Sequence, residues 1–154
     1  MTRTLNALIA ATGSAALLGG AYVFQFLGYA PCQLCFYQRW PHMVAIVIGA
    51  LVFALPNKIL CWLGALAALT TAGIGIYHTG VERKWWDGPA SCTGNADSLM
   101  GMDGASLLAI DEGPRLIMCD QVSWQMLGLS MPSWNAVFSL ILVVFWVRAA
   151  LAAR

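Results

Sequence analysis

The chain has 154 residues, of which 60% are hydrophobic and 10% charged, and its formal net charge is +1. A soluble domain averages about 25% charged residues, so the composition argues against a water-soluble globule and for one lipid-embedded unit. Near-zero net charge leaves no electrostatic footprint for nucleic acid, and all seven acidic residues fall between Glu82 and Asp120.

In chain order, Arg3 and the apolar run from Leu5 to Leu27 first suggest a signal peptide, with Gly28-Tyr29-Ala30 as a small-residue cleavage site. The run is longer than the usual 7–15 residue apolar region, and Pro31 would follow the cut directly, so a retained membrane helix over about 5–27 is expected. Its alanines and glycines suit close helix packing. A short loop at about 28–36 leads into a second span at about 36–55, which carries Arg39 and His42 near its start. Pro56-Asn57-Lys58 makes a tight hairpin to a third span at about 59–77. A long connector at about 78–133 precedes the fourth span, about 134–152. Crossing a bilayer takes about 20 apolar residues, and helices satisfy their own backbone there. The expected fold is an all-α membrane protein, a four-transmembrane-helix bundle in a single integral membrane domain over 1–154, with a long periplasmic loop between the third and fourth helices. Within that loop, Ser98 to Met118 reads equally as an amphipathic helix on the membrane surface or as a loop packed on the bundle.

Lysine and arginine set the orientation. With the N-terminus inside, Arg3, Lys58, Arg148 and Arg154 are cytoplasmic, while Arg39, Arg83, Lys84 and Arg115 are outside. The counts tie, but the short connectors, which govern topology, are basic without any acid. Trp40, Trp85, Trp86, Trp124 and Trp134 also fall near the outer helix ends, as an aromatic belt does. Cys32, Cys35, Cys92 and Cys119 are then on the outer side, where disulfides persist. Cys61 lies at the cytoplasmic end and reads as a small buried apolar residue.

The chemistry centres on Pro31-Cys32-Gln33-Leu34-Cys35-Phe36-Tyr37-Gln38-Arg39. If a helix begins near Cys32, Cys35 and Arg39 share one face, and the helix dipole and the guanidinium both favour a thiolate on Cys35. A structural disulfide or a zinc half-site are the alternatives. Zinc would call for a second C-x-x-C or a Cys/His pair at ligand spacing, which the sequence lacks, so no metal is expected. Cys92 lies in the small and polar stretch Ala90-Ser91-Cys92-Thr93-Gly94, open to a soluble protein. Cys119 follows Leu116-Ile117-Met118, which should hold it nearer the membrane. Glu82 beside Arg83 and Lys84 reads as a solvated charge group.

Four membrane helices, C-x-L-C-x-x-x-R after the first, and a cysteine pair in the long connector together resemble the DsbB family. So do Tyr77-His78-x-Gly80-Val81-Glu82, Trp86-x-Gly88-Pro89-x-x-Cys92 and Leu127-Gly128-Leu129-Ser130-Met131-Pro132-Ser133-Trp134. The resemblance covers nearly the whole chain. It implies a quinone-linked thiol oxidase of the bacterial inner membrane, with both termini cytoplasmic, that reoxidises a periplasmic, thioredoxin-fold DsbA-like partner. It also implies the roles. Cys92 is attacked by the partner, Cys119 is released and attacks Cys32, and the freed Cys35 reduces a membrane quinone, ubiquinone or menaquinone, held with Arg39 and His78. Two departures are small: Gln38 stands where an acidic residue is common, and the segment before the first helix is very short. His78 and His42 are candidates for proton relay or for plain hydrogen bonding. A membrane reductant would need cysteines open to the cytosol beyond Cys61. A tetraspanin-like organiser would carry a Cys-Cys-Gly motif, which is absent.

Overall fold

Three of the four long helices begin where a neighbouring side chain replaces a missing backbone partner. The computed structural model describes residues 2–89, 92 and 118–152, and the two readings of Ser98 to Met118 concern residues that, Met118 apart, lie outside that set. Thr2 caps α1, Arg3–Phe26, by accepting from the Leu5 N–H at 3.3 Å. The Cys32 sulfur caps α2, Gln33–Ala54, by accepting from the Cys35 N–H at 3.4 Å. Asn57 caps α3, Lys58–Glu82, by accepting from the Ile59 N–H at 2.9 Å. The last helix, α4, runs Met131–Leu151 with Pro132 in its first turn, where a fixed φ is preorganised for helix.

These caps move three boundaries from where hydropathy alone sets them. α2 starts at Gln33 rather than 36 because Cys32 serves as its cap, so the first loop is shorter than expected. α3 continues five residues past 77, to Glu82, because His78, Gly80 and Val81 still face the interior. It stops where Arg83 caps it and Lys84 turns to φ 57°. α4 begins three residues before 134. A short antiparallel hairpin, β1 Gln125–Met126 with β2 Leu129–Ser130, leads into it. Its two-residue turn is Leu127-Gly128, with φ of 53° and 77°, the doubly left-handed geometry that matches strand twist.

α1, α3 and α4 are long and apolar enough to cross a membrane. α2 has a similar length, but its first three turns carry Gln33, Gln38, Arg39 and His42, and the last three of these are buried. A polar helix start hidden inside the bundle, rather than shown to lipid, marks where function resides.

The helices pack in a ring, α1 on α2, α2 on α3, α3 on α4, and α4 back on α1. Two buried clusters divide the interior along its length. One gathers Ala7, Ala45, Val52, Cys61, Ala68 and Trp146; the other gathers Cys32, Leu34, Val81, Cys92 and Cys119. The end away from the cysteines is tied by Arg3, which donates to Ala152 O at 2.7 Å, Ala149 O at 3.3 Å and Pro56 O at 3.4 Å. A cation there satisfies the last carbonyls of α4.

Close approach of α3 to α4 depends on Gly64, where an added Cβ would sit 2.6 Å from the Trp146 indole. Gly64→Ala is therefore expected to destabilise the bundle by about 1–3 kcal/mol, read as a lower melting midpoint in detergent. Gly73→Ala, where a Cβ meets nothing within 4 Å, should leave the midpoint unchanged or raised. Equal effects from both would remove Gly64 from the packing argument.

Candidate active site

The site is assembled at the cysteine end by α2, α3, α4 and the segment around residues 118–124. Cys32 and Cys35 are free thiols whose sulfurs lie 3.3 Å apart. Cys92 and Cys119 are joined in a disulfide with a Cα–Cα distance of 5.3 Å, and the Cys119 N–H donates to Cys92 O at 2.6 Å. The sulfurs of Cys32, Cys92 and Cys119 all lie within 4.8 Å of one another. Exchange requires a thiolate to reach a disulfide sulfur, and here the two pairs are placed for it. Cys61 lies in the other buried cluster, away from all four.

Cys92 and Cys119 are both buried in this arrangement, 4% and 0% exposed. The expectation of a Cys92 open to solvent is not met here, because the disulfide is packed against Cys32, Leu34 and Val81. The structure holds the pair facing inward, toward the Cys32 sulfur.

The Cys32 thiol is lowered to about 4, first by its hydrogen bond with Cys35. Burial opposes this, and His78 adds to the lowering with its Nε2 at 3.5 Å from the sulfur. Groups that stabilise a thiolate thus gather on the Cys32 sulfur, the helix cap. Sequence reasoning gave such support to Cys35, through the dipole and Arg39. The difference arises because the sulfur at the cap position collects the Cys35 N–H, the Cys35 thiol and the His78 ring at once, while Arg39 is engaged elsewhere.

Arg39 is buried. Its guanidinium donates to Gln25 Oε1 at 2.7 Å and Ala21 O at 3.4 Å on α1. It also lies 4.8 Å from the Tyr22 ring centroid and 5.1 Å from that of Phe36. Among the described residues, its Nε is buried with no hydrogen-bond partner. Arg39, Cys35, Gln38, His42 and His78 line one mainly apolar cavity of about 420 Å³, walled also by aromatic side chains such as Phe24 and Trp124. Glu82, read from sequence as a solvated charge, is half-buried at the same cavity. Asn135, Thr71 and Gln38, which sequence reasoning did not single out as site groups, form a partly buried hydrogen-bonded cluster beside it. An amide in an otherwise apolar helix was the available signal for Asn135.

Membrane-length apolar helices with two cysteine pairs in exchange contact at one end define a class: membrane-embedded proteins of thiol–disulfide exchange. The family described as disulfide bond formation protein DsbB matches residues 3–149, and the chain belongs to this family. Among curated relatives, disulfide bond formation protein B of Xanthomonas oryzae pv. oryzae is 30% identical over 86% of this chain and 81% of its own length. That of Acinetobacter baylyi is 28% identical over 92% and 87%, and an uncharacterized protein of Rickettsia prowazekii is 27% identical over 93% and 84%. No solved structure matches the chain. Membership supports a disulfide-generating oxidoreductase in a membrane.

Proposed function

We propose that the chain oxidises the dithiol of a DsbA-like periplasmic protein and passes the electrons to membrane quinone. The observation that carries this reading is the mutual contact of the Cys32, Cys92 and Cys119 sulfurs beside the cavity that holds Cys35 and Arg39. A partner thiolate attacks Cys92, breaking the Cys92–Cys119 bond and releasing Cys119 as thiolate. Cys119 attacks Cys32 of an oxidised Cys32–Cys35 pair and releases Cys35 as thiolate at the cavity. The second partner thiol completes the partner's disulfide, and return of the Cys119 sulfur to Cys92 frees Cys32. Re-forming the Cys32–Cys35 bond gives up two electrons and two protons. A quinone supplies the chemistry that accepts both.

The residues present fit such a group. The cavity is mainly apolar, and the buried Arg39 Nε is a donor lacking an acceptor among the described residues, suited to a carbonyl oxygen. His78 stands at the same wall. In the proposed orientation the sulfur end faces the periplasm of a bacterial inner membrane. Both termini and the Pro56-Asn57-Lys58 connector face the cytoplasm, with the long 78–133 region outside. To meet a partner, the Cys92–Cys119 disulfide leaves its inward packing.

The test uses purified chain, a reduced thioredoxin-fold dithiol protein and a soluble quinone, with quinone absorbance as the readout. Stoichiometric loss of quinone and partner thiols only when the chain is present is expected. Thiol oxidation without quinone consumption would overturn the electron route.

A further inference from the structure

A file of buried and half-buried polar side chains joins Cys32 to α4, and the relay chemistry does not itself call for it. Asn135 Nδ2 donates to Gln38 Oε1 at 2.7 Å and to Thr71 Oγ1 at 3.1 Å. Asn135 Oδ1 accepts from His42 Nε2 at 2.9 Å and from Ser139 Oγ at 3.4 Å. Gln38 Nε2 in turn faces His78 Nδ1 at 2.9 Å and Leu34 O at 3.4 Å. His78 Nε2 then lies 3.5 Å from Cys32 Sγ.

The direction of this file is fixed by its surroundings. The Thr71 oxygen lies 3.0 Å from Gln38 O, which can only accept, and 3.2 Å from His42 Nε2, whose proton also serves Asn135 Oδ1, so the Thr71 hydroxyl donates to Gln38 O and toward Asn135 its oxygen accepts. Leu34 O can only accept. Turning both amides over would set Asn135 Oδ1 against Thr71 Oγ1 and Gln38 Oε1 against Leu34 O, two acceptor–acceptor contacts in a buried site. With the amides as they stand, His78 Nδ1 accepts from Gln38, and the ring proton sits on Nε2, facing the Cys32 sulfur. Ligand atoms of Cys32, Cys35 and His78 lie within 4.8 Å of one another, but a metal there would need that nitrogen bare. The same file therefore makes His78 a hydrogen-bond donor to sulfur rather than a ligand.

We propose that Asn135 is a positioning residue for Cys32: acting from α4 through Gln38, it holds the His78 Nε2–H on the Cys32 sulfur and so keeps that sulfur ready to leave and return as a thiolate. This rests on the proposed relay for its use, but not for its measurement. The titratable groups that face Cys32 are Cys35 on α2 and His78 and Glu82 on α3. From α4, the file presents only the neutral Asn135 and Ser139. A change at Asn135 therefore reaches Cys32 through the orientation of amides, with no charge added or removed.

The experiment follows iodoacetamide labelling of Cys32 in the reduced full-length chain across pH, resolved from the other cysteines by peptide mass spectrometry. Asn135→Leu keeps the branched shape and removes both N–H donors together with the Oδ1 acceptor. Gln38 Oε1 then loses its 2.7 Å donor, and only the longer 3.4 Å contact with Leu34 O still holds the amide, so its oxygen turns to His78 Nδ1, the ring proton moves to Nδ1, and a bare Nε2 faces Cys32. The acid limb of labelling is expected to move up by about one pH unit. Adding Gln38→Glu to that variant should bring the limb back to the parent position or below. An acceptor-only carboxylate beside Nδ1 favours a ring with N–H on both nitrogens, which restores the donor to sulfur. If Asn135→Leu does not fold, Asn135→Ala removes the same donors and is read the same way. An unmoved limb overturns the proposal, as does a shift that Gln38→Glu fails to reverse. No quinone or partner is present in the assay, so failure of the relay reading would leave this result standing.

Discussion

Single replacement of Cys32, Cys35, Cys92 or Cys119 by Ser is expected to lower quinone-coupled dithiol oxidation at least about a hundredfold, while Cys61→Ala keeps it within about twofold. The relay proposed above passes two electrons through four sulfurs in series, so a hydroxyl at any one position stops exchange on both sides of it. The structure supplies the contrast within one molecule. Cys32, Cys92 and Cys119 share a buried cluster, with Cys35 packed against it. Cys61 lies fully buried among Ala65, Ala68 and Trp146 in the other cluster. An alanine there loses a small apolar contact and leaves no polar group unpaired. The measurement is initial rate of quinone loss, with a melting curve for each variant to show that the bundle is intact. A folded Cys61→Ala variant without turnover would mean that electrons take a path this arrangement does not contain.

Hydropathy and cysteine spacing make most of the fold legible in the sequence. The runs that became α1, α3 and α4 are apolar because their outer faces meet lipid, and a hydropathy window reads that exposure directly. The same window ended α3 at residue 77, because Tyr77-His78-Thr79-Gly80-Val81-Glu82 is mixed in polarity. The helix persists there because His78 and Val81 are buried against neighbours, a tertiary cause with no local mark. Spacing also placed Cys35 and Arg39 on one helix. It could not show that the Arg39 guanidinium turns to Gln25 and two aromatic rings, or that the cap position sets the Cys35 N–H and the His78 ring on the Cys32 sulfur. Asn135 passed unremarked inside a run otherwise read as a lipid-facing span. Its contacts to residues 71 and 38 arise only when α4 closes the ring against α2 and α3.

Arg39→Ala is expected to reduce quinone-dependent turnover on the order of a hundredfold, the scale of removing one preorganised donor from a reacting oxygen. Thiol exchange between a partner and the Cys92–Cys119 pair should stay within about twofold. The two readouts separate because the pairs occupy different surroundings: the disulfide packs on Leu34 and Val81, whereas Arg39 lines the apolar cavity with Cys35. The guanidinium is held from one side by Gln25 Oε1 and Ala21 O and is flanked by the Tyr22 and Phe36 rings. Its Nε remains a buried donor with no partner among the described residues, directed by a side chain that these contacts immobilise. Arg39→Lys should fall between parent and Arg39→Ala. An ammonium keeps the charge but lacks the planar fork that can satisfy Gln25 and present a further N–H at the same time. Turnover is measured against quinone concentration, and exchange is measured as mixed-disulfide formation with a single-cysteine partner. Exchange near the parent rate also shows that the variant is folded. If Arg39→Ala instead keeps the parent dependence on quinone, Arg39 serves only to fasten α2 to α1, and the cavity's electron acceptor is held by other groups.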